Sequence, residues 1–228
     1  MVVLLVLLTL LGCILLSLAL RRREKAAAGA RPVREPAALF PSLAAQELPG
    51  GLFVHSGHTW AKLDSSGAVQ VGLDGFAQGI LGRIDRFELP PDGATLRQGE
   101  PAFAALQSGK RIEFVSPVDG VVCAVNGQIN ADPAAARVDP YEKGWAFAIR
   151  PSNLSQNLKK LRIGPEAAAW LEREARSFTE FLSLHRAVPV EVGVTLADGG
   201  IHADGIMESM DGEILQIADF GLQGREER

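Results

Sequence analysis

The chain has 228 residues, 47% of them hydrophobic, and a formal net charge of −4 at pH 7. This composition supports one compact domain with additional segments. Basic residues concentrate near the N-terminus and form no stripe through the rest of the chain, which argues against a nucleic-acid groove. The chain has two cysteines, Cys13 and Cys123, which excludes a disulfide framework and a cysteine-rich metal site.

Residues 2–20 carry no charge and include ten Leu, three Val and one Ile. As a helix this stretch would measure about 28 Å, which just spans a bilayer core. A transmembrane helix is therefore predicted over residues 1–20. Arg21, Arg22, Arg23 and Lys25 follow at once, and cationic residues stay on the cytoplasmic side. The sequence predicts a single-pass protein of the inner (cytoplasmic) membrane whose soluble portion is cytoplasmic.

Two other types of leader are compatible with parts of this segment. A cleaved signal peptide would use the small residues at 26–28, but its positive charge belongs before the apolar stretch. A lipoprotein signal would end at Cys13, yet the apolar run continues for seven residues beyond it. Both alternatives are weaker than an uncleaved anchor.

Residues 21–47 are basic and then rich in Ala and Pro, which predicts an extended tether. Between residues 51 and 150, short apolar runs alternate with turn signals, including Ser108-Gly109. This spacing is typical of an antiparallel β sandwich or barrel. Helical patterns cover residues 74–81, 152–161 and 165–184. The tail, residues 185–228, is predicted to be a strand and helix extension, with the strand over residues 188–196 and a final apolar segment after it.

A series of fragments in residues 48–182 resembles the H protein of the glycine cleavage system. The most informative are Leu48-Pro49-Gly50-Gly51-Leu52-Phe53, His58-Thr59-Trp60, Gly99-Glu100-Pro101, Ser116-Pro117-Val118-Asp119-Gly120, Asp139-Pro140-Tyr141 and Gly144-Trp145. The resemblance implies a lipoyl-like β sandwich with peripheral helices over residues 48–184. It also implies a carrier role, in which a lysine at the tip of a β hairpin is lipoylated.

That lysine is absent from its expected place. Counting from the fragments on either side gives position 109, which is Gly109. Lys110 lies one residue later, and a one-residue shift along a hairpin turns a side chain to the opposite face. Leu106 stands where the family has an acidic residue, whereas Glu113 matches the acid that follows. We therefore expect no lipoyl group, with Lys110 as the substitute attachment site if one is used.

Other candidate constellations are weaker. His55 and His58 lie near Asp64 in the sequence, but no third ligand follows the two histidines at a spacing typical of metal sites. No metal site is therefore predicted. His202 with Asp198 and Asp204 is interpreted as part of a turn. No catalytic residue is predicted, and the chain is not expected to be an enzyme.

The leading interpretation is a membrane-anchored, non-lipoylated adaptor that binds a protein partner through its sheet and through the hairpin tip, Ser108, Gly109, Lys110 and Arg111. The alternative is a lipoyl carrier of the glycine cleavage H type that uses Lys110.

Overall fold

The computed structural model describes residues 48–184 and residue 205. The predicted transmembrane helix, the tether and the C-terminal extension apart from Gly205 lie outside these residues. Within the described part of the chain, no helix is both long enough and apolar enough to cross a membrane.

Ten strands and five α-helices make up the described residues. The strands are β1 (Leu52–Val54), β2 (Thr59–Leu63), β3 (Val69–Leu73), β4 (Arg86–Glu88), β5 (Thr95–Leu96), β6 (Pro101–Gln107), β7 (Lys110–Val115), β8 (Gly120–Val125), β9 (Trp145–Pro151) and β10 (Arg162–Ile163). The helices are α1 (Gly75–Leu81), α2 (Gln128–Ala131), α3 (Pro133–Val138), α4 (Leu154–Asn157) and α5 (Gly164–Leu184), with a 3-10 turn at Leu158–Lys160.

The strands form two antiparallel sheets. Seven strands pair in the order β10-β1-β2-β3-β9-β8-β5, and three pair in the order β4-β6-β7. Aromatic side chains join the two sheets, because the ring of Phe103 in the small sheet lies 5.7 Å from the ring of Phe147 in the large sheet. Within the small sheet, the Phe103 ring lies 5.6 Å from that of Phe114. The predicted mainly β fold with peripheral helices is confirmed.

The sequence prediction missed the shortest elements. β1, β5 and β10 contain two or three residues each, which is too few for an alternating pattern to be visible. Their positions are set by pairing, for example Phe53 with Ile163 and Thr95 with Val121. Helices α2 and α3 were also missed, since they contain only four and six residues, which is too short for a helical period to be visible.

Helix α1 starts from a buried polar pair. Asp74 caps the helix, since its Oδ1 accepts a hydrogen bond from the Ala77 amide at 2.8 Å. Its Oδ2 lies 2.9 Å from Nδ1 of His58, and both side chains are almost completely buried. His58 lies just before β2 with a φ of 55° and is 1% exposed.

Helix α5 packs against strands β1 and β10 of the large sheet. It begins at Gly164, one residue before the predicted start, and ends as predicted at Leu184. Ala167, Trp170 and Leu171 are buried along its inner side, while the guanidinium of Arg162 lies 5.0 Å from the centre of the Trp170 ring. The helix thereby fixes the edge of the sheet formed by β1 and β10.

Candidate functional site at the β6–β7 hairpin

The hairpin between β6 and β7 ends in a two-residue turn. Gln107 pairs with Lys110 across the strands, and the turn residues Ser108 and Gly109 have φ angles of 49° and 79°. Two consecutive positive φ angles define a type I′ turn, whose twist matches that of the flanking strands. The tight turn expected from the Ser-Gly pair is therefore present.

Gly109 occupies the exposed second position of this turn. A Cβ atom built on Gly109 has no heavy atom within 4 Å, apart from its chain neighbours. A side chain at this position would project into open space, as a modified residue that visits partner enzymes requires. The position that the resemblance assigns to the lipoyl-lysine is thus at the tip, and here it has no side chain.

Lys110 has a different setting. Residues directly opposite each other in an antiparallel pair share one face of the sheet, so Lys110 lies on the same face as Gln107. Gln107 is 2% exposed, and its amide donates hydrogen bonds to the carbonyls of Leu81 and, at 3.0 Å, of Arg83. Lys110 is half-buried. Its stem therefore starts from the inward-facing side of the small sheet and not from the apex of the turn.

The tip is braced from the side by the segment that precedes β4. The Ser108 amide donates to Oδ2 of Asp85 at 2.7 Å, and the Asp85 amide donates to the Leu106 carbonyl at 2.8 Å. The sequence analysis did not find Asp85, because it lies 23 residues from Ser108 along the chain. The only local signal for Asp85 is that it is a polar residue beside a short apolar run, which does not indicate its partner.

Arg111 lies on the outer face of the small sheet opposite Leu106. Its guanidinium contacts the carboxylates of Glu113 and of Glu88, the latter at 2.7 Å. These hydrogen bonds, with Glu113 first and Glu88 second, raise the pKa of Arg111. The outer face next to the tip thus carries an ordered group of alternating charges, and Leu106 is the half-buried apolar residue beside it.

The histidines considered for a metal site have other partners. His58 is paired with Asp74, and Nδ1 of His55 accepts a hydrogen bond from the Gly57 amide at 3.0 Å. Asp64 accepts from the Ser66 and Ala68 amides in the β2–β3 turn. Among residues 48–184 and 205, no three His, Cys, Asp or Glu side chains are grouped so that they would hold a metal ion. His202, Asp198 and Asp204 lie outside the described residues.

Two antiparallel sheets with an exposed two-residue hairpin define the class of protein, a β sandwich. Residues 52–174 match the family model of the glycine cleavage H-protein. The chain belongs to the glycine cleavage H-protein family, and residues 52–174 form its H-protein-like domain, a domain of the lipoyl-carrier type.

Curated relatives agree with this assignment. The chain is 37% identical over 106 residues to the glycine cleavage system H protein of Chromobacterium violaceum, which covers 46% of this chain and 83% of that protein. It is 36% identical over 130 residues to the H protein of Xanthomonas campestris pv. campestris, covering 57% and 98%. Among solved structures, the H protein of Mycobacterium marinum matches with 26% identity and a TM-score of 0.48, covering 54% and 98%.

Proposed function

We propose that this protein is a membrane-anchored H-protein-like module that carries no lipoyl group and binds a protein partner through its β6–β7 hairpin. The observation that carries the proposal is Gly109 at the exposed apex of a type I′ turn. The H-protein carrier mechanism requires an amine at the tip, and a glycine there supplies none. The same exposed turn and the charged outer face beside it remain as a surface for recognition.

The setting of Lys110 supports the proposal in a second way. A lipoylating enzyme reads a lysine that a turn presents to solvent, whereas Lys110 starts on the inward-facing side of the sheet beside the buried Gln107. The acidic neighbour on the preceding strand is replaced by Leu106, whose cross-strand partner Arg111 already contacts two carboxylates. Both elements of the attachment signal have therefore changed together.

The alternative function is a lipoyl carrier that uses Lys110. It is favoured by membership of a family of carriers and by the position of Lys110, which is the first residue after the turn. The lysine side chain is a flexible stem of four carbons, so its amine reaches well beyond its own Cα. This alternative is separated from the leading proposal by the attachment experiment below.

The experiment measures intact mass after the chain meets a lipoylating enzyme and lipoate. We expect the wild-type chain to stay unmodified, and the double variant Gly109→Lys with Leu106→Glu to gain one lipoyl group. Lys110→Ala is tested beside Lys159→Ala, which changes an exposed lysine of the 3-10 turn. Efficient modification of the wild type that Lys110→Ala abolishes and Lys159→Ala leaves intact would replace the adaptor proposal with the carrier function.

The membrane part of the proposal is supported by the uncharged stretch of residues 2–20 and the basic residues that follow it. A reporter enzyme that is active only outside the cytoplasm is fused after Arg228 and compared with one that is active only inside. We expect activity from the cytoplasmic reporter alone, in the membrane fraction. Activity of the exported reporter would reverse the orientation, and release of the fusion into the soluble fraction would contradict the anchor.

A further inference from the structure

Strand β7 is the longest edge strand in the described part of the chain. It contains six residues, Lys110–Val115, and among residues 48–184 it pairs with β6 alone. The other edge strands of the two sheets, β4, β5 and β10, contain two or three residues each. Short length and proline keep a sheet edge from pairing with another chain. β7 is long and contains no proline, so it is the edge best suited to accept a further strand.

The backbone groups of Arg111 and Glu113 point away from β6. Hydrogen-bonded and non-hydrogen-bonded pairs alternate along an antiparallel ladder. Leu106 lies opposite Arg111, and its carbonyl accepts from the Asp85 amide on the other side of β6. Leu106 and Arg111 therefore form a non-hydrogen-bonded pair, and so do Ala104 and Glu113 two residues along. The N–H and C=O groups of Arg111 and Glu113 consequently face the outer edge of the sheet.

These two residues carry opposite charges at positions that are symmetric about Ile112. When two copies of β7 pair antiparallel around a twofold axis at Ile112, Arg111 of each copy lies opposite Glu113 of the other. Both residues have outward backbone groups, so each such pair exchanges two backbone hydrogen bonds. The adjacent registers that keep these bonds are centred on Arg111 or on Glu113 and place like charges opposite each other, which is destabilising. Charge and hydrogen-bond pattern thus select one register.

The ion pairs within the chain leave capacity for this contact. The Nε atom of Arg111 donates to Glu88 at 2.7 Å, and its Nη1 atom contacts Glu113. A guanidinium carries further N–H donors, and an ionised carboxylate accepts at several positions. The Arg111 and Glu113 side chains are 51% and 38% exposed. A second copy therefore adds contacts to these groups without displacing the existing ones.

We propose that two copies of this chain pair through β7 and join their small sheets into one continuous sheet. Ile112 lies at the twofold axis, and Arg111 of each copy faces Glu113 of the other. A contact of this symmetric kind closes after two copies. The turn at Ser108 and Gly109 lies outside the paired residues, so the dimer carries two hairpin tips. Under the proposed function, a partner with two binding sites gains avidity from them.

The pairing is tested by exchanging charges in the full chain. Donor and acceptor fluorescent proteins are fused after Arg228 in separate samples, and energy transfer between chains is measured against protein concentration in mild detergent. Arg111→Glu gives the edge two acids, and Glu113→Arg gives it two bases. Each variant alone places like charges opposite each other, so each should weaken association about tenfold.

Two combinations should restore association. A mixture of Arg111→Glu chains with Glu113→Arg chains has opposite charges at both facing pairs, so mixed dimers should form where neither variant associates alone. The double variant Arg111→Glu with Glu113→Arg reverses both pairs and should also recover. Arg86→Glu is the control. Arg86 is exposed and contacts Glu88 at 3.4 Å, but it lies on β4 at the opposite edge of the small sheet, so association should be unchanged.

Residue-resolved hydrogen exchange locates the contact. The amides of Arg111 and Glu113 should exchange more slowly as the concentration of wild-type protein rises, because pairing supplies them with acceptors. The Ile112 amide faces β6 and should show no such dependence. In the Arg111→Glu variant the effect on the Glu113 amide should be lost at the same concentrations.

Wild-type protein that stays monomeric over the whole concentration range would overturn the inference. So would association that both single variants leave unchanged, since the contact would then lie elsewhere. A mixture that associates no better than either variant alone would show that the two residues do not face each other. Slow exchange of the Arg111 amide at every concentration would assign the β7 edge to residues of the same chain. None of these outcomes depends on lipoylation or on membrane anchoring, so the inference fails independently of the proposed function.

Discussion

The cluster around His58 and the hairpin tip around Gly109 are both turn-based features of one domain, and they differ in how strongly the fold constrains them. The His58 and Asp74 side chains are buried and joined to each other, to the start of α1 and to the Phe76 and Trp170 rings. At the tip, the Ser108 amide donates to Asp85 and Arg111 contacts exposed carboxylates, while Gly109 faces open space. The fold thus constrains the buried cluster more tightly than the exposed glycine of the tip.

The largest effect that tests this comparison is expected from Asp74→Ala. The change removes the helix cap and leaves the buried His58 ring without its partner. Loss of a cap costs about 1 kcal/mol, and leaving a buried polar group unpaired costs roughly 1–3 kcal/mol. We expect the free energy of unfolding of the purified chain to fall by about 2–4 kcal/mol, as measured by urea denaturation with tryptophan fluorescence.

Asp64→Ala is the matched control for that variant. Asp64 also accepts backbone amides in a turn, but it lies at the surface of the β2–β3 hairpin. A clearly smaller loss of stability is expected. Equal losses for Asp74→Ala and Asp64→Ala would show that the buried pair is no more constrained than an ordinary surface turn.

The second-largest effect is expected to be a pH dependence of the free energy of unfolding. It arises from His55, which adjoins the buried cluster. Burial, followed by the positive charges of Arg162, His58 and Lys160, lowers the pKa of His55 to about 4. The Gly57 amide also requires an unprotonated Nδ1 as its acceptor. Between pH 6.5 and about 4 the unfolded chain binds a proton that the folded chain does not. The contribution of His55 to the free energy of unfolding is therefore complete above pH 6.5. It is lost as the pH falls from 6.5 to about 4, which lowers the free energy of unfolding by on the order of 2–3 kcal/mol.

The variants that isolate this window are His55→Gln and Asp119→Asn. His55→Gln retains an acceptor for the Gly57 amide and should flatten the dependence of stability between pH 6.5 and 4. Asp119 behaves differently, since hydrogen bonds from the Gln98 amide and then from Asn157 lower its pKa below the ordinary 3.8. Its contribution is lost only at lower pH, so Asp119→Asn should leave the His55 window in place. An unchanged slope in His55→Gln would assign the effect to another group.

The same contrast explains how much the sequence revealed. The long strands, the helix at residues 74–81, the Ser108-Gly109 turn and helix α5 follow from local patterns of polarity and turn residues, and all were predictable. The bracing by Asp85 and the burial of Gln107 depend on contacts between residues 23 and 26 positions apart in the sequence. No local pattern carries that information. The face of the sheet on which Lys110 lies likewise depends on the pairing register, because a shift of one residue relative to the turn moves a side chain to the opposite face.

The smallest expected effect concerns the tip itself. Gly109 has a φ of 79°, a region in which residues with a Cβ are strained by about 1 kcal/mol. Gly109→Ala should therefore lower the free energy of unfolding by about 1 kcal/mol, although no neighbouring atom obstructs the added methyl group. The loss comes from the backbone alone.

Gly127→Ala is the control for that backbone effect. Gly127 is exposed, has equally open surroundings and adopts helical angles, with φ −63° and ψ −21°. An Ala at this position is expected to be neutral or to stabilise the fold by up to about 1 kcal/mol, because it restricts the unfolded chain. If Gly109→Ala instead matches Gly127→Ala, the turn relaxes at no cost. A lysine at position 109 would then cost no stability, and the fold itself would not require a glycine there.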